Sequence, residues 1–232
     1  MVKSKVLLFV LCICSQVAAQ QNQRVDENDS LIFLQKPSFV VWYNYTRLVP
    51  ALVCWNLCTV DLGHNLRPSS QSFLTDSDLP RPRAKSKDYT RSGFQRGHLC
   101  PSADRSASAQ LMRATFVMSN VAPMLPTLNM RGWALAEEHA RIIARSGYRC
   151  HVVAGSIFSK DSIIYLGESA IMVPDSFFRA VIVPECPDLS VFWLFPNSDE
   201  ATVESRFRVS SRRFRRSLRH KVRKILDELK IW

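Results

Sequence analysis

The chain has 232 residues, with 31 Lys and Arg against 20 Asp and Glu and a formal net charge of +11, so it is strongly basic and sized for one moderate domain. Past its first residues no apolar run is long enough to cross a bilayer, which excludes stable membrane insertion as an expectation. The charge favours polyanionic partners, nucleic acid first and anionic lipid or acidic glycans after it, and says nothing about catalysis.

The chain opens MVKSKVLLFVLCICSQVAAQQ. Lys3 and Lys5 precede an apolar run from Val6 to Cys14, and Val17-Ala18-Ala19 offers small residues for cleavage, which is the pattern of a secretory signal peptide. The expectation is a leader over residues 1–19 and a secreted or periplasmic mature chain, still basic because the leader takes away two lysines and no acid. Residues 20–37 are expected to form a flexible N-terminal segment, polar at its start (QQNQRVDENDS). The main domain is expected over residues 38–205.

Within that domain FVVWYNY (39–45) and LVCWNLCTV (52–60) read as strands, rich in β-branched, aromatic and apolar residues. The stretch 61–92, with DLPRPRAKSKD, reads as a long surface loop. ATFVMSNVAPM (114–124) reads as a short strand entering a turn. NMRGWALAEEHARIIARSG reads as a helix from about Asn129, a plausible N-cap, to Arg145, stopped by Gly147. Four further strands are expected in CHVVAGSIF, IIYLG, FFRAVIV and LSVFWLFPN, and a basic helix over 206–232. Strands and helices follow one another without a βαβ rhythm, so the fold class is α+β, with a mostly antiparallel central sheet and flanking helices.

Cys54, Cys58, Cys100, Cys150 and Cys186 remain after leader cleavage. Cys54 and Cys58 have no second pair at zinc spacing, so burial or a disulfide is the preferred reading over a zinc site. The odd count leaves at least one thiol free or paired between chains.

The stretch GFQRGHLCPSADR (93–105) places Arg96 and His98 two residues apart, on one face of an extended segment. Hydrolysis of a phosphodiester needs a base, positive charge on the non-bridging oxygens and help for the departing oxygen. His98 titrates near neutral pH and can be the base. Arg96 can grip a phosphate with a planar fork of donors. Gly97, lacking a side chain, is read as making room for that phosphate. For the departing oxygen a hard cation such as Mg²⁺, with Mn²⁺ as substitute, wants oxygen ligands. Asn129, Trp133 and Glu137 fall at i, i+4 and i+8 on the helix. Asn129 could bind the cation through its amide oxygen, Glu137 directly or through a water, and Trp133 would pack the helix on the sheet. Arg141 continues the stripe toward the phosphate or Glu137. The bland alternative is a turn with a surface histidine, a helix cap, a solvated glutamate and a core tryptophan.

Taken together, QRGHLCPSADR, SNVAPM (119–124) and LNMRGWALAEEHAR (128–141) resemble the DNA/RNA non-specific endonucleases with a ββα-metal site, the group that includes mitochondrial endonuclease G. That family carries D-R-G-H, then N-x-x-P-Q, then an Asn and W-x-x-x-E on a helix. CWNLC at 54–58 is similar to an upstream strand of the family, and the likeness runs from about residue 38 to about 200. It implies metal-dependent cleavage of DNA and RNA to 5′-phosphate ends, with His98 as general base. Asn129 would be the protein ligand of one Mg²⁺ and Glu137 would hold its water shell, a water of which would protonate the departing 3′-oxygen. Arg96 and Arg141 match phosphate-contacting arginines, and Asn120 matches an asparagine that supports the site. Three departures are visible. Gln95 stands where the family has Asp, Met124 where it has Gln, and Gln71 near an upstream arginine for which Arg67 is a substitute. They leave a weakened or inactive nucleic-acid-binding relative as the alternative.

From Arg206 to Lys224 there are ten Lys or Arg and no acid. This stretch reads as a salt-sensitive nucleic-acid grip, as an amphipathic helix turning Phe214, Leu218, Val222 and Ile225 to the domain, or as a membrane-surface helix. A protein inhibitor, the oligomeric state and the choice between DNA and RNA are not legible.

Overall fold

In the computed structural model the described residues are 31–63, 72–159 and 164–231. Residues 1–30, with the expected leader, and Arg67 and Gln71 lie outside them.

In chain order the elements are β1 (Leu31–Gln35), β2 (Val40–Asn44), β3 (Val49–Leu57), β4 (Gln95–His98), α1 (Ala109–Ala114), β5 (Val121–Met124), α2 (Trp133–Arg145) and β6 (Cys150–Ile157). They continue as β7 (Tyr165–Leu166), β8 (Ile171–Met172), β9 (Ser176–Ile182), β10 (Val191–Pro196), α3 (Ser211–Ser217) and α4 (His220–Glu228). Six strands form one sheet in the order β1-β2-β3-β6-β9-β10, and every neighbouring pair is antiparallel. The α+β expectation therefore holds. β1 lies wholly inside the segment expected to be flexible, which corrects that expectation. Its apolar LIFL run pairs with β2 from Leu31↔Asn44 to Gln35↔Val40 and adds an edge strand.

The central strands are buried on both faces, and alternation sorts their side chains into two cores. Val53, Trp55 and Leu57 of β3, Val152 and Ala154 of β6, Phe177 and Val181 of β9, and Trp193 and Phe195 of β10 join one core. That core also holds Trp133, Ala136, Ala140, Ile143 and Ala144 of α2. The intervening residues Leu52, Cys54, Val153, Phe178 and Ala180 join the other core, with Phe214 of α3, Leu218 at the helix break, and Val222 and Leu226 of α4. The sheet is thus a middle layer. α2 and the β4–β5 hairpin-like pair lie on one face, and α3 and α4 lie on the other.

The C-terminal stretch is two helices, not one, because Leu218 and Arg219 adopt extended ψ values of 139° and 148° between them. The expected inward stripe is otherwise present, with Leu226 more deeply buried than Ile225. Phe214 meets Phe178 and Phe192 at ring-centroid distances of 5.8 and 5.2 Å. Helices of this length are marginal alone, so their order depends on this contact. Phe214→Ala is expected to lower the unfolding free energy by about 3–5 kcal/mol in denaturant titration.

Candidate active site

β4 pairs antiparallel with β5 in the register Gln95↔Met124, Arg96↔Pro123, Gly97↔Ala122, His98↔Val121. The chain then passes through Leu125 into a helix that starts at Pro126 and carries a π-helical turn over Leu128–Gly132 before α2. This is a ββα unit. Asn129 is not the N-cap expected from its residue type. It lies inside the π-turn, with its backbone N–H on Leu125 O at 3.0 Å, because Pro126 already supplies the helix start. A π-turn re-aims side chains relative to a regular helix and is common at functional sites. Here it leaves the Asn129 side chain toward β4, where Nδ2 donates to Gln95 Oε1 at 2.8 Å.

Gly97 also corrects the reading of its role. A Cβ at this position would lie 2.4 Å from both Cγ and Sδ of Met124. The space left by the missing side chain is filled from below by Met124, and Arg96 and His98 project from the other face. Both are in contact with Phe73. The His98 ring lies 4.9 Å from it, and the Arg96 guanidinium 5.8 Å above it. Arg96 is also 5.5 Å over Tyr89 and donates from Nη2 to Ser86 O at 2.6 Å, while its Nε has no partner. The expected pairing of Arg96 and His98 on one face is present.

His98 is half-buried, but its ring is enclosed by Phe73 and by Phe116 at 4.8 Å. Nε2 has no solvent contact and no hydrogen-bond partner among the described residues. Burial pushes the imidazole down to about 4, so the ring is neutral at physiological pH and has a free lone pair for a proton. The backbone after it is pinned at every polar group. Trp133 Nε1 donates to His98 O at 3.1 Å, and Leu99 N donates to Asn120 O at 3.0 Å. Arg179 Nη1 donates to Leu99 O at 3.3 Å. Asn120, fully buried, accepts from Cys100 N at 2.9 Å and donates to Cys100 O at 2.8 Å and Thr115 O at 3.0 Å. Its role is that of a scaffold for the turn. Trp133 packs edge-on against Phe177 and Phe195 at 5.8 and 5.7 Å, which seats α2 on the sheet as expected.

Glu137 and Arg141 follow on α2. Burial is the main cause that pushes the Glu137 carboxyl up to about 7; Arg179 and Arg141 oppose the rise and Asp104 adds to it. Arg141 is turned inward, with 11% of its side chain exposed. It donates to Asp104 Oδ1 at 3.1 Å and Glu138 Oε2 at 2.8 Å, and lies 4.0 Å from Glu137 Oε2. Its geometry is that of a strut between carboxylates.

Two groups in this network carry no signal of function in the motifs. Asp104 and Arg179 are both fully buried, with Arg179 Nη2 at 4.0 Å from Asp104 Oδ2. Asp104 Oδ2 also accepts from Trp55 Nε1 at 3.0 Å. The Arg179 guanidinium lies between the rings of Trp55 (5.1 Å) and Trp133 (5.2 Å). Arg179 was visible as a single charge inside the apolar run FFRAVIV, and Asp104 as the acid that closes GFQRGHLCPSADR. Asn129 and Glu137 thus lie eight positions apart on one helix, the amide against Gln95 of β4 and the carboxyl beside Arg141. Among the described residues no three His, Cys, Asp or Glu side chains gather as a metal cage.

A model of the DNA/RNA non-specific endonuclease family matches residues 18–225. The chain belongs to that family. It is 30% identical over 154 residues to a nuclease of Nostoc sp., covering 66% of this chain and 54% of that one. It is 35% identical over 141 residues to human mitochondrial endonuclease G, covering 55% and 47%. The chain therefore spans about half the length of these curated relatives. Among solved structures it is similar to one of an EndoG/EndoGI complex, with a TM-score of 0.72, 23% identity and 89% of each chain covered, a likeness of fold. The match to the family includes α3 and most of α4.

Asp104→Asn would take from buried Arg179 one of its two carboxylate neighbours, leaving Glu137, and would break the Arg141–Asp104 bond. It is expected to lower stability by about 3–5 kcal/mol, and a thermal melt with an unchanged midpoint would contradict the network described.

Proposed function

We propose that the chain is a Mg²⁺-dependent endonuclease that hydrolyses phosphodiester bonds of DNA and RNA without sequence specificity. The observation that carries this reading is the Gln95–Asn129 contact. With Nδ2 donated to Gln95, the Asn129 amide is held in one orientation and its Oδ1 is kept as a free oxygen donor. Gln95, the departure from D-R-G-H, offers an acceptor that can do this positioning work, which supports the active reading over the inactive relative.

Asn129 Oδ1 and the Glu137 carboxylate fit a hard cation that keeps most of its waters, Mg²⁺ with Mn²⁺ as substitute. When bound there, the cation supplies positive charge to the phosphoryl group and the departing 3′-oxygen. The chain's own residues do the rest. Arg96, clamped on Ser86 O, presents its remaining donors to a non-bridging oxygen. His98, neutral at physiological pH, takes the proton of the attacking water at Nδ1, because Nε2 is shut off from solvent; an arriving phosphate raises its proton affinity by favouring the charged ring. The new P–O bond forms from that water as the bond to the 3′-oxygen breaks, leaving a 5′-phosphate. Trp133, Asn120 and Arg179 keep the His98 backbone from moving. Arg141 acts through Glu137 as a positioning residue. Arg67 remains a proposed substrate contact outside the described residues. The leader pattern at residues 1–19 supports export as the setting, and among the described residues no helix is long and apolar enough to cross a membrane.

Plasmid DNA and RNA are expected to be degraded by the folded protein with Mg²⁺ and not with EDTA. His98→Ala should lower the rate by about 10²–10⁴ and Gln95→Ala by about 10–100-fold. Folded protein that binds DNA but cleaves neither substrate would return the inactive-relative reading.

The raised Glu137 pKa sets a pH dependence. A proton and a cation compete for the same carboxylate, so Mg²⁺ affinity should fall as pH drops from 8 to 6, through about 7. His98 does not titrate in that window. Calorimetry on wild type and Glu137→Gln should find the dependence in the first and not in the second.

A further inference from the structure

α3 and α4 bury their apolar stripe on the sheet face opposite α2, so the basic stretch does not extend the surface on which Arg96 and His98 lie. What it builds instead is a separate open groove of 510 Å³, lined by Ser211, Arg212, Arg215, Arg216, Arg223 and Asp227. Four guanidinium groups face one carboxylate. Arg215 donates to Asp227 at 2.8 Å. Arg212, Arg216 and Arg223 have no acidic partner among the described residues. Arg212 and Arg216 are exposed and sit at i and i+4, where like charges repel by a few tenths of a kcal/mol. Phe214, Leu218, Val222 and Leu226 hold both helices on the sheet, so the backbone positions of the arginines are fixed. The groove therefore holds the helix positions that carry four planar donors, three of them with no acidic partner among the described residues, and suits successive phosphates.

We propose that the α3–α4 groove is a second, metal-independent nucleic-acid backbone site, on the far side of the sheet from His98, through which one molecule holds a second segment of the same polyanion it cleaves. This rests on nucleic acid being the substrate class. A lipid surface is disfavoured by the packing. A helix lying on a membrane needs an exposed apolar face, and no large apolar side chain of α3 or α4 is exposed.

The test uses the full folded protein with Arg212, Arg216 and Arg223 all changed to Gln, beside the same three changed to Lys and beside His98→Ala. Binding of a 40-base-pair duplex is measured in EDTA over a range of salt, so that catalysis plays no part. The Gln triple variant is expected to bind at least 10-fold more weakly, with a salt slope reduced by about 2–3, while the Lys variant and His98→Ala stay near wild type. A bead-bound duplex should capture a second, labelled duplex through wild type and not through the Gln variant. Cleavage of a short oligonucleotide in Mg²⁺ should be unchanged. Wild-type-like binding and capture by a folded Gln variant would overturn the proposal, as would unchanged DNA binding with loss of binding to phosphatidylserine vesicles. Loss of DNA binding in the Gln variant of a protein that cleaves nothing would uphold this site and defeat the nuclease reading, so the two failures are distinguishable.

Discussion

The site depends on the immobilisation of three backbone residues, His98 to Cys100. Each of their hydrogen-bonding groups that faces the interior is met by a side chain or strand from a different part of the chain. Trp133 comes from α2, Arg179 from β9 and Asn120 from the turn before β5. At the end of a four-residue strand, a histidine proposed as the base would otherwise wander by more than a proton transfer tolerates. The three anchors are themselves fixed by burial, Trp133 against two phenylalanines and Arg179 between two tryptophans. Precision at the site is thus transmitted from the main sheet.

That arrangement explains why the charged network under the site is retained in the interior. Arg179 and Asp104 are fully buried at 4.0 Å, and Arg141 carries the network outward to Glu137 and Glu138. Removing two charges from water is expensive, and such a pair need not stabilise the fold relative to apolar packing. What it does here is geometric and electrostatic. It ties α2 to the turn after β4 and stations two positive charges near a carboxyl whose pKa burial pushes up and they push back down.

Much of this was legible in the chain. Alternating β-branched and aromatic runs located the long strands within a few residues, and the W-x-x-x-E spacing put Trp133 and Glu137 on the inner side of a helix. Arg96 and His98 share Phe73 because residues two apart in a strand share a face. The misses have physical causes. Asn129 looked like a cap because caps are a local signal, whereas the π-turn that actually sets its aim depends on tertiary packing. Gly97 looked like room for substrate because cross-strand neighbours are unknown before the register is known; Met124 fills that space. Asp104 and Arg179 lie 75 positions apart in sequence, and nothing local joins them. The break at Leu218 was hidden inside one continuous amphipathic pattern.

The central claim is that one divalent cation is held at Asn129 and Glu137 beside His98. Anomalous scattering from crystals of the protein equilibrated with Mn²⁺ tests it most directly. The account predicts a single Mn²⁺ peak within direct coordination distance of Asn129 Oδ1, lost in Asn129→Ala. A peak elsewhere, or an ion that persists in Asn129→Ala, would contradict it.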